Sequence, residues 1–238
     1  MKAIISTILL TLPCLTSVQA ASFDCKKAQS AVERLICGDP GISELDDVLG
    51  SLYRGVIKSN PATEEIVRRD QKEWLRLRDG CGDAACVRRH YHTRLLVLSE
   101  SIPMNASGAP SGADFGGAWS IDLRSPAERK RGAECGGAYF SLRQSGSAII
   151  GAHAFATVDC GRINEGGDGT VKGVVHGAGA ILVVTSGRNG AVVIGKATRR
   201  GGLMHWVSVD EIRAAKYEGD SALILSEGTL AREKPKAE

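Results

Sequence analysis

The sequence predicts an α+β protein, with a small disulfide-tied helical bundle followed by an antiparallel β-barrel or β-sandwich domain. Three observations support this fold class. Before residue 100, apolar residues recur at spacings of three and four, as in amphipathic helices. Most of the 29 glycines lie after residue 114, between short apolar runs of strand length. Beyond residue 20 there are six cysteines, four before residue 90 and two after residue 130, which predicts two separately cross-linked domains.

Residues 1–20 have the features of a secretory signal peptide. Lys2 precedes a short apolar run, and Ala20 ends a segment with the small residues that signal peptidase needs. Cleavage near Ala20 would make the mature protein periplasmic or secreted. The run is about half the roughly 20 residues that cross a bilayer, so no membrane span is predicted. Cys14 leaves a lipoprotein alternative, although Pro13 stands where such a signal has a small residue.

Residues 21–100 are predicted to form a helical domain. Ser30 and Glu33 form a capping box, which begins a short first helix. A second helix is expected to begin at Ser43 and to end at Asn60, before a proline. Its buried stripe consists of apolar residues three and four apart, namely Leu45, Val48, Leu49, Leu52 and Val56.

Two further helices are expected over about 62–78 and 85–98. Their inward-facing residues are predicted to be Ile66, Val67, Trp74, Leu77, Val87, Tyr91, Leu95 and Leu98. A domain of about 80 residues has a small core, so local disulfides would contribute substantially to its stability.

Residues 101–114 are small, polar and rich in glycine and proline, which is typical of a linker. Residues 115–238 then form the glycine-rich β domain, in which turn sequences separate successive apolar runs. The predicted strands include residues 139–142, 148–150, 170–175, 181–184, 191–194, 203–207 and 222–225. With no helix-length segment between them, closure into a small barrel or a two-sheet sandwich is expected.

The cysteines are expected to form three disulfides in an oxidising compartment. The local pairing is Cys25–Cys37, Cys81–Cys86 and Cys135–Cys160. Cross-links of the first two cysteines to the Cys81 and Cys86 turn stay open as an alternative. A metal site at Cys81-x4-Cys86 is not predicted, because no second ligand pair follows at comparable spacing.

Charge and motifs exclude several functional classes. The formal net charge is +3, and the longest basic run is Arg129-Lys130-Arg131, so nucleic-acid binding is not predicted. Motifs for a nucleophilic serine, a zinc protease or a phosphate-binding loop do not occur in the sequence. The sequence therefore predicts no enzyme and no cofactor.

A set of spaced residues in the helical domain carries a family resemblance. It consists of Phe23-Asp24-Cys25, Ala28, Val32-Glu33, Ile36-Cys37, Asp39, Leu45-Asp46, Tyr53, Gln71, Trp74-Leu75, Arg78-Asp79, Cys81, Cys86-Val87, Tyr91 and Arg94. With these residues the first domain resembles the N-terminal domain of the LprI-type lysozyme inhibitors, which are exported bacterial proteins. The resemblance implies a binding protein whose partner is lysozyme-like.

Two places are candidate binding sites. Asp39, Glu44 and Asp47 surround one predicted helix start, and their negative charge would suit a basic lysozyme. Gly117-Ala118-Trp119 looks like the Gly-x-Trp that opens lipocalin-like barrels and would place Trp119 at a barrel mouth. The alternative function is therefore an envelope ligand-binding barrel, a lipocalin-like carrier or sensor, with a helical docking domain. A cell-wall hydrolase is a third reading, which the missing motifs disfavour.

Overall fold

The computed structural model describes residues 21–105, 108–217 and 219–233. The expected signal peptide over 1–20, with Cys14 and the cleavage near Ala20, lies outside these ranges. Residues 21–105 contain four α-helices, α1 (Ala31–Gly38), α2 (Pro40–Ser59), α3 (Glu64–Asp79) and α4 (Ala84–Glu100). Among the described residues, no helix has the length and apolar character needed to cross a bilayer.

The helix starts follow the chemistry of the caps. α1 begins at the predicted capping box, in which Ser30 and Glu33 satisfy each other's backbone amides. α2 begins at Pro40, so the predicted start at Ser43 is wrong. The Asp39 carboxylate accepts from the two amides after Pro40 at 2.9 and 3.1 Å, and proline fits the first helical position because its missing N–H needs no partner there.

α3 packs mainly on α4, so only a narrow face of it is buried. Trp74 lies on this face and meets Tyr91 of α4 edge to face, with ring centroids 5.3 Å apart. Val67 is also buried, as predicted. Ile66 and Leu77 are more than half exposed instead of facing inward, because none of the described elements covers their side of α3.

The second half is an antiparallel barrel, which decides between the two predicted β architectures. Its strands are β1 (Gly117–Asp122), β2 (Cys135–Ser145), β3 (Ala148–Val158), β4 (Ile163–Glu165), β5 (Val171–His176), β6 (Gly179–Thr185), β7 (Val192–Arg200), β8 (Leu203–Arg213) and β9 (Glu227–Arg232). The order β2-β1-β9-β8-β7-β6-β5-β3 closes through the β2–β3 pairing, which makes eight strands, and β4 adds to the edge of β3.

The interior of the barrel is filled with side chains. Trp119, Phe140 and Trp206 are fully or almost fully buried there, and they pack against aliphatic residues from most of the strands. The apolar run 222–225 is not a strand, contrary to the prediction. Several of its side chains join this interior core instead, so the run folds over an end of the barrel as a loop.

A short helix, α5 (Pro126–Lys130), follows β1 and was not predicted from the sequence. Its start has the same chemistry as that of α1. Ser125 and Glu128 form a second capping box, and Pro126 occupies the first turn.

The helices pack against the outer surface of the barrel. α2 crosses strands β3, β5, β6 and β8, and one apolar core includes Leu52 and Val56 of α2 together with Ile150, Val174 and Ile181 of the barrel. Residues of the predicted linker also contact the barrel. Backbone hydrogen bonds join residues 108 and 111 to residue 146 in the β2–β3 turn.

The six cysteines beyond residue 20 form three disulfides. They join Cys25 to Cys37, Cys81 to Cys86 and Cys135 to Cys160. The first two lie within the helical region and the third lies within the barrel, so no cross-link connects the two regions among the described cysteines.

Candidate functional site

Charged side chains from both regions meet where α2 and α4 contact the barrel. We call this group the ionic seam, and it consists of Asp39, Glu44, Asp47, Arg88, His92, Lys196 and Asp210. It contains all three carboxylates that the sequence indicates as a candidate partner-binding surface.

Lys196 of β7 connects the barrel to α2. Its Nζ lies 2.7 Å from a carboxylate oxygen of Glu44 and 2.7 Å from one of Asp47. Partial burial opposes the charge of the ammonium group, but the hydrogen bonds to Asp47 and Glu44 outweigh burial and raise the pKa of Lys196. The lysine therefore stays charged and draws the two carboxylates to the surface of the barrel.

Asp210 of β8 makes the corresponding contacts with α4. Its Oδ2 lies 2.8 Å from a guanidinium nitrogen of Arg88 and 3.0 Å from Nε2 of His92. Burial alone would favour the neutral acid, but the contacts with His92 and Arg88 outweigh it and lower the pKa of Asp210. Arg88 also lies 3.6 Å from Asp39, which links the start of α2 to the same group.

The three predicted carboxylates thus have structural contacts and remain partly accessible. The side chains of Asp39, Glu44 and Asp47 are 37%, 35% and 36% exposed. A partner could approach their outer edges, but it would compete with Lys196 for the charge of Glu44 and Asp47.

A second group of charged residues is buried inside the helical region. Asp46 accepts a hydrogen bond from the Tyr91 hydroxyl at 2.6 Å and another from the backbone N–H of Ser22 at 2.8 Å. Arg78 donates to the same tyrosine at 3.3 Å and to Asp79 at 2.7 Å. Burial, and next the charge of Asp46, raise the pKa of Tyr91 far above its ordinary value.

Arg94 forms another buried contact between α3 and α4. Its Nε donates to Gln71 at 2.8 Å, and a terminal nitrogen donates to the carbonyl of Val67 at 3.3 Å. Burial lowers the pKa of Arg94. Together with Asp46, Arg78 and Tyr91, Gln71 and Arg94 belong to the motif that carries the family resemblance, so much of that motif holds the helices together.

The end of the barrel near Trp119 is closed by polar side chains. The Trp119 indole N–H donates to the carbonyl of Phe115 at 2.9 Å, and the ring is fully buried. The guanidinium carbons of Arg199 and Arg232 lie 5.3 and 5.4 Å from its centroid, in the range of cation–π contacts. Arg232 also binds Asp114 at 3.0 Å. Trp119 therefore presents no open ring to a ligand in this structure.

The Cys81–Cys86 disulfide lies close to a histidine. The two sulfurs and a ring nitrogen of His90 lie within 4.8 Å of one another, which is close enough for a shared metal ion. A metal would need thiolates, and both sulfurs are joined in a disulfide. This group therefore acts as a covalent link between the end of α3 and the start of α4.

The architecture defines a class: a disulfide-bonded α+β protein in which a four-helix region packs on the outside of an eight-stranded antiparallel barrel. Such disulfides fit an exported protein. No protein-family model matches the chain. The chain is similar to Lipoprotein LprI of Mycobacterium bovis and of two strains of Mycobacterium tuberculosis, with 30% identity over 90 residues.

This similarity covers 36% of the chain and 45% of each relative, so the chain spans about half the length of the curated relatives it matches. The resemblance that the sequence motif predicts is thereby confirmed for a part of the chain. The 90 matched residues are about as many as the helical region contains, and the motif residues lie in that region.

Proposed function

We propose that the protein is an exported binding protein that inhibits a lysozyme-like partner without catalysis. The observation that carries this proposal is the similarity of about one third of the chain to LprI, together with the residues of the LprI-type motif that build the helical region. The disulfides support export, because such bonds persist in oxidising compartments.

The proposed contact surface is the outer edge of the ionic seam. Asp39, Glu44 and Asp47 lie on one side of the molecule and keep about a third of their surface accessible. Lysozymes are basic, so these carboxylates would steer the approach of such a partner, and salt would screen the attraction. Binding in this way needs no reacting group on the inhibitor.

Lysozyme turnover of suspended cell walls tests the proposal. The chain from residue 21 onward should slow turnover in proportion to the complex formed. The loss of turnover should level off as more of the protein is added. Unchanged turnover at high micromolar concentration would rule out the inhibitor function. A barrel protein without the helical region should not inhibit, provided that circular dichroism shows it to be folded.

The seam is tested by the triple variant Asp39→Ser, Glu44→Ser and Asp47→Ser. Serine at position 39 can still cap α2, so the variant removes charge while keeping the helix start. We expect association with lysozyme to slow several-fold at low salt and the difference to shrink at high salt.

The matched control removes three carboxylates from α3, which lies away from the barrel. The variant Glu65→Ser, Asp70→Ser and Glu73→Ser changes the net charge by the same amount. Equal association rates for the two triple variants would show that net charge, and not the seam, steers the partner.

A further inference from the structure

A cleft of about 470 Å³ lies between the C-terminal turn of α4 and the outer surface of the barrel. Its floor follows the strand register. Thr185 pairs with Val192, which pairs with Arg213, so these three side chains form one row across β6, β7 and β8. Lys172 and Val183 form a neighbouring row across β5 and β6. The cleft size falls in the range of small-molecule sites, which often lie between two structural units.

One end of the cleft carries Arg213, a cation with no acidic partner in the part of the chain that the structure describes. Arg213 donates its Nε to the carbonyl of Gly190 at 3.1 Å. Its two terminal nitrogens have no hydrogen-bond or ion-pair partner within residues 21–105, 108–217 and 219–233. Asp168 also lines the cleft, but its carboxylate pairs with Arg143 at 2.7 Å. The free side of the Arg213 guanidinium is therefore suited to an anion from outside.

Apolar side chains line part of the cleft between its two ends. Val183 and Val192 are buried at its base, and Leu96 of α4 and Met104 line the opposite wall. The far end is closed by an ion pair between Lys172 and Glu100, whose charged atoms lie 2.6 Å apart. The Lys172 side chain is only 19% exposed, whereas that of Glu100 is 73% exposed, so the cleft ends at a half-buried lysine paired with an accessible carboxylate.

We propose that this cleft binds a small molecule that carries one carboxylate on an apolar body. The carboxylate binds the two terminal nitrogens of Arg213, since a guanidinium matches the two oxygens of a carboxylate. The apolar body packs against Leu96 and the exposed Met104, above the buried Val192, and the Lys172–Glu100 pair limits its length. This site is separate from the ionic seam, so it does not depend on binding of a lysozyme-like partner.

Dansylglycine is a suitable probe, because it joins one carboxylate to an apolar fluorophore. Dansylamide is its matched control, because it has a similar fluorophore without the carboxylate. In titrations of the native protein, dansylglycine fluorescence should rise and saturate, with at least 10-fold tighter binding than dansylamide. Equal affinity for the two probes, or no saturable rise with dansylglycine, would overturn the proposal.

The variant Arg213→Gln assigns the carboxylate contact. Its affinity for dansylglycine should fall at least 10-fold, to the level of dansylamide, while its circular dichroism and thermal unfolding stay native-like. The control Arg89→Gln removes a cation from the exposed surface of α4, outside the cleft, and should bind dansylglycine as the native protein does. Native affinity in Arg213→Gln, or the same loss in Arg89→Gln, would contradict the assignment.

Amide NMR shifts give the location independently of any variant. Saturating dansylglycine should shift the amides of Thr185, Val192 and Arg213 and leave that of Trp119 unchanged. Shifts centred on Trp119 would place the probe at the barrel end and overturn the proposal.

Discussion

The helical region and the barrel bury polar groups of different kinds. The helical region encloses the ionisable residues Asp46, Arg78 and Arg94. Asp46 and Arg78 both form hydrogen bonds with the Tyr91 hydroxyl, and Arg94 forms one with Gln71. The barrel encloses His153 and Asn164, whose ring nitrogen and amide nitrogen lie 3.0 Å apart. In a small helical region, buried charged contacts help to specify one packing of the helices, whereas a barrel filled by aromatic rings needs few such contacts.

This contrast predicts different weak points. The helical region should be most sensitive to removal of a buried charge, and the barrel should be most sensitive to acid, because protonation would create a buried charge there. The junction between them should respond to packing more than to surface ion pairs. Four experiments, ordered by expected effect, test these expectations.

The largest effect is expected from Asp46→Ala. It leaves the buried Tyr91 hydroxyl and one side of the buried Arg78 without an acceptor, and it removes the acceptor of the partly buried Ser22 amide. We expect the free energy of unfolding to fall by about 3 kcal/mol or more, measured by guanidinium denaturation. The control Asp70→Ala removes an acid from an exposed pair with Arg69 and should cost under about 1 kcal/mol. Equal losses would refute a special role for the buried network.

Acid should weaken the barrel through His153. Burial lowers the pKa of His153 from 6.5 to about 4, so the unfolded chain binds a proton more readily than the folded one. This contribution to stability is complete above pH 6.5 and is lost as the pH falls from 6.5 towards 4, by up to about 3 kcal/mol.

The measurement is the free energy of unfolding at pH 7, 5.5 and 4.5 for the native protein and for His153→Gln. The variant should show a smaller loss over this range, because it lacks the titrating ring. The comparison variant His205→Gln changes an exposed histidine of β8 and should keep most of the native pH dependence. If the free energy of unfolding depends on pH equally in the native protein and in His153→Gln, this histidine is not the cause of the acid sensitivity.

Gly55→Ala tests whether the two regions share a core. A β-carbon at Gly55 would lie 2.3 Å from Cγ2 of Val174 on β5, so α2 must shift away from the barrel. We expect a loss of about 1–3 kcal/mol by chemical denaturation, although alanine favours helices over glycine. Adding Val174→Ala should recover part of this loss, and a double-mutant cycle measures the coupling. If the two substitutions change the free energy of unfolding additively, α2 and β5 do not press on each other at these positions.

The smallest effect is expected at the ionic seam. Lys196→Ala removes two ion pairs, with Glu44 and Asp47, but all three side chains are about a third exposed. The loss in free energy of unfolding should stay near or below about 1 kcal/mol and should shrink at high salt. A loss as large as that of Gly55→Ala would show that charge, rather than packing, holds the helices on the barrel.

Local chemistry made several elements predictable. The capping box of Ser30 and Glu33 locates the start of α1, and Asn60 before a proline locates the end of α2. The six cysteines and the glycine-rich turns indicate the division into a helical and a β half. These signals act over a few residues, so they are readable without knowledge of the fold.

A signal for the helix–barrel contact was present in the sequence. The run Ile181-Leu182-Val183-Val184 of β6 is apolar on both faces, and residues 191–194 repeat this pattern. Strands with one face in water alternate apolar and polar residues, so continuous runs indicate that both faces are covered. In the structure the barrel interior covers one face and the helices cover the other.

The sequence by itself determined the helix caps, the short turns, the apolar periodicity and the separation of two regions, because each depends on neighbours along the chain. Only the tertiary structure decided that Lys196 meets Glu44 and Asp47, that Asp46 is buried against Tyr91, and that Arg213 borders a cleft while having no acidic partner among the described residues. These contacts join residues far apart in the chain, and their electrostatic energies depend on distance and burial, which no local pattern specifies.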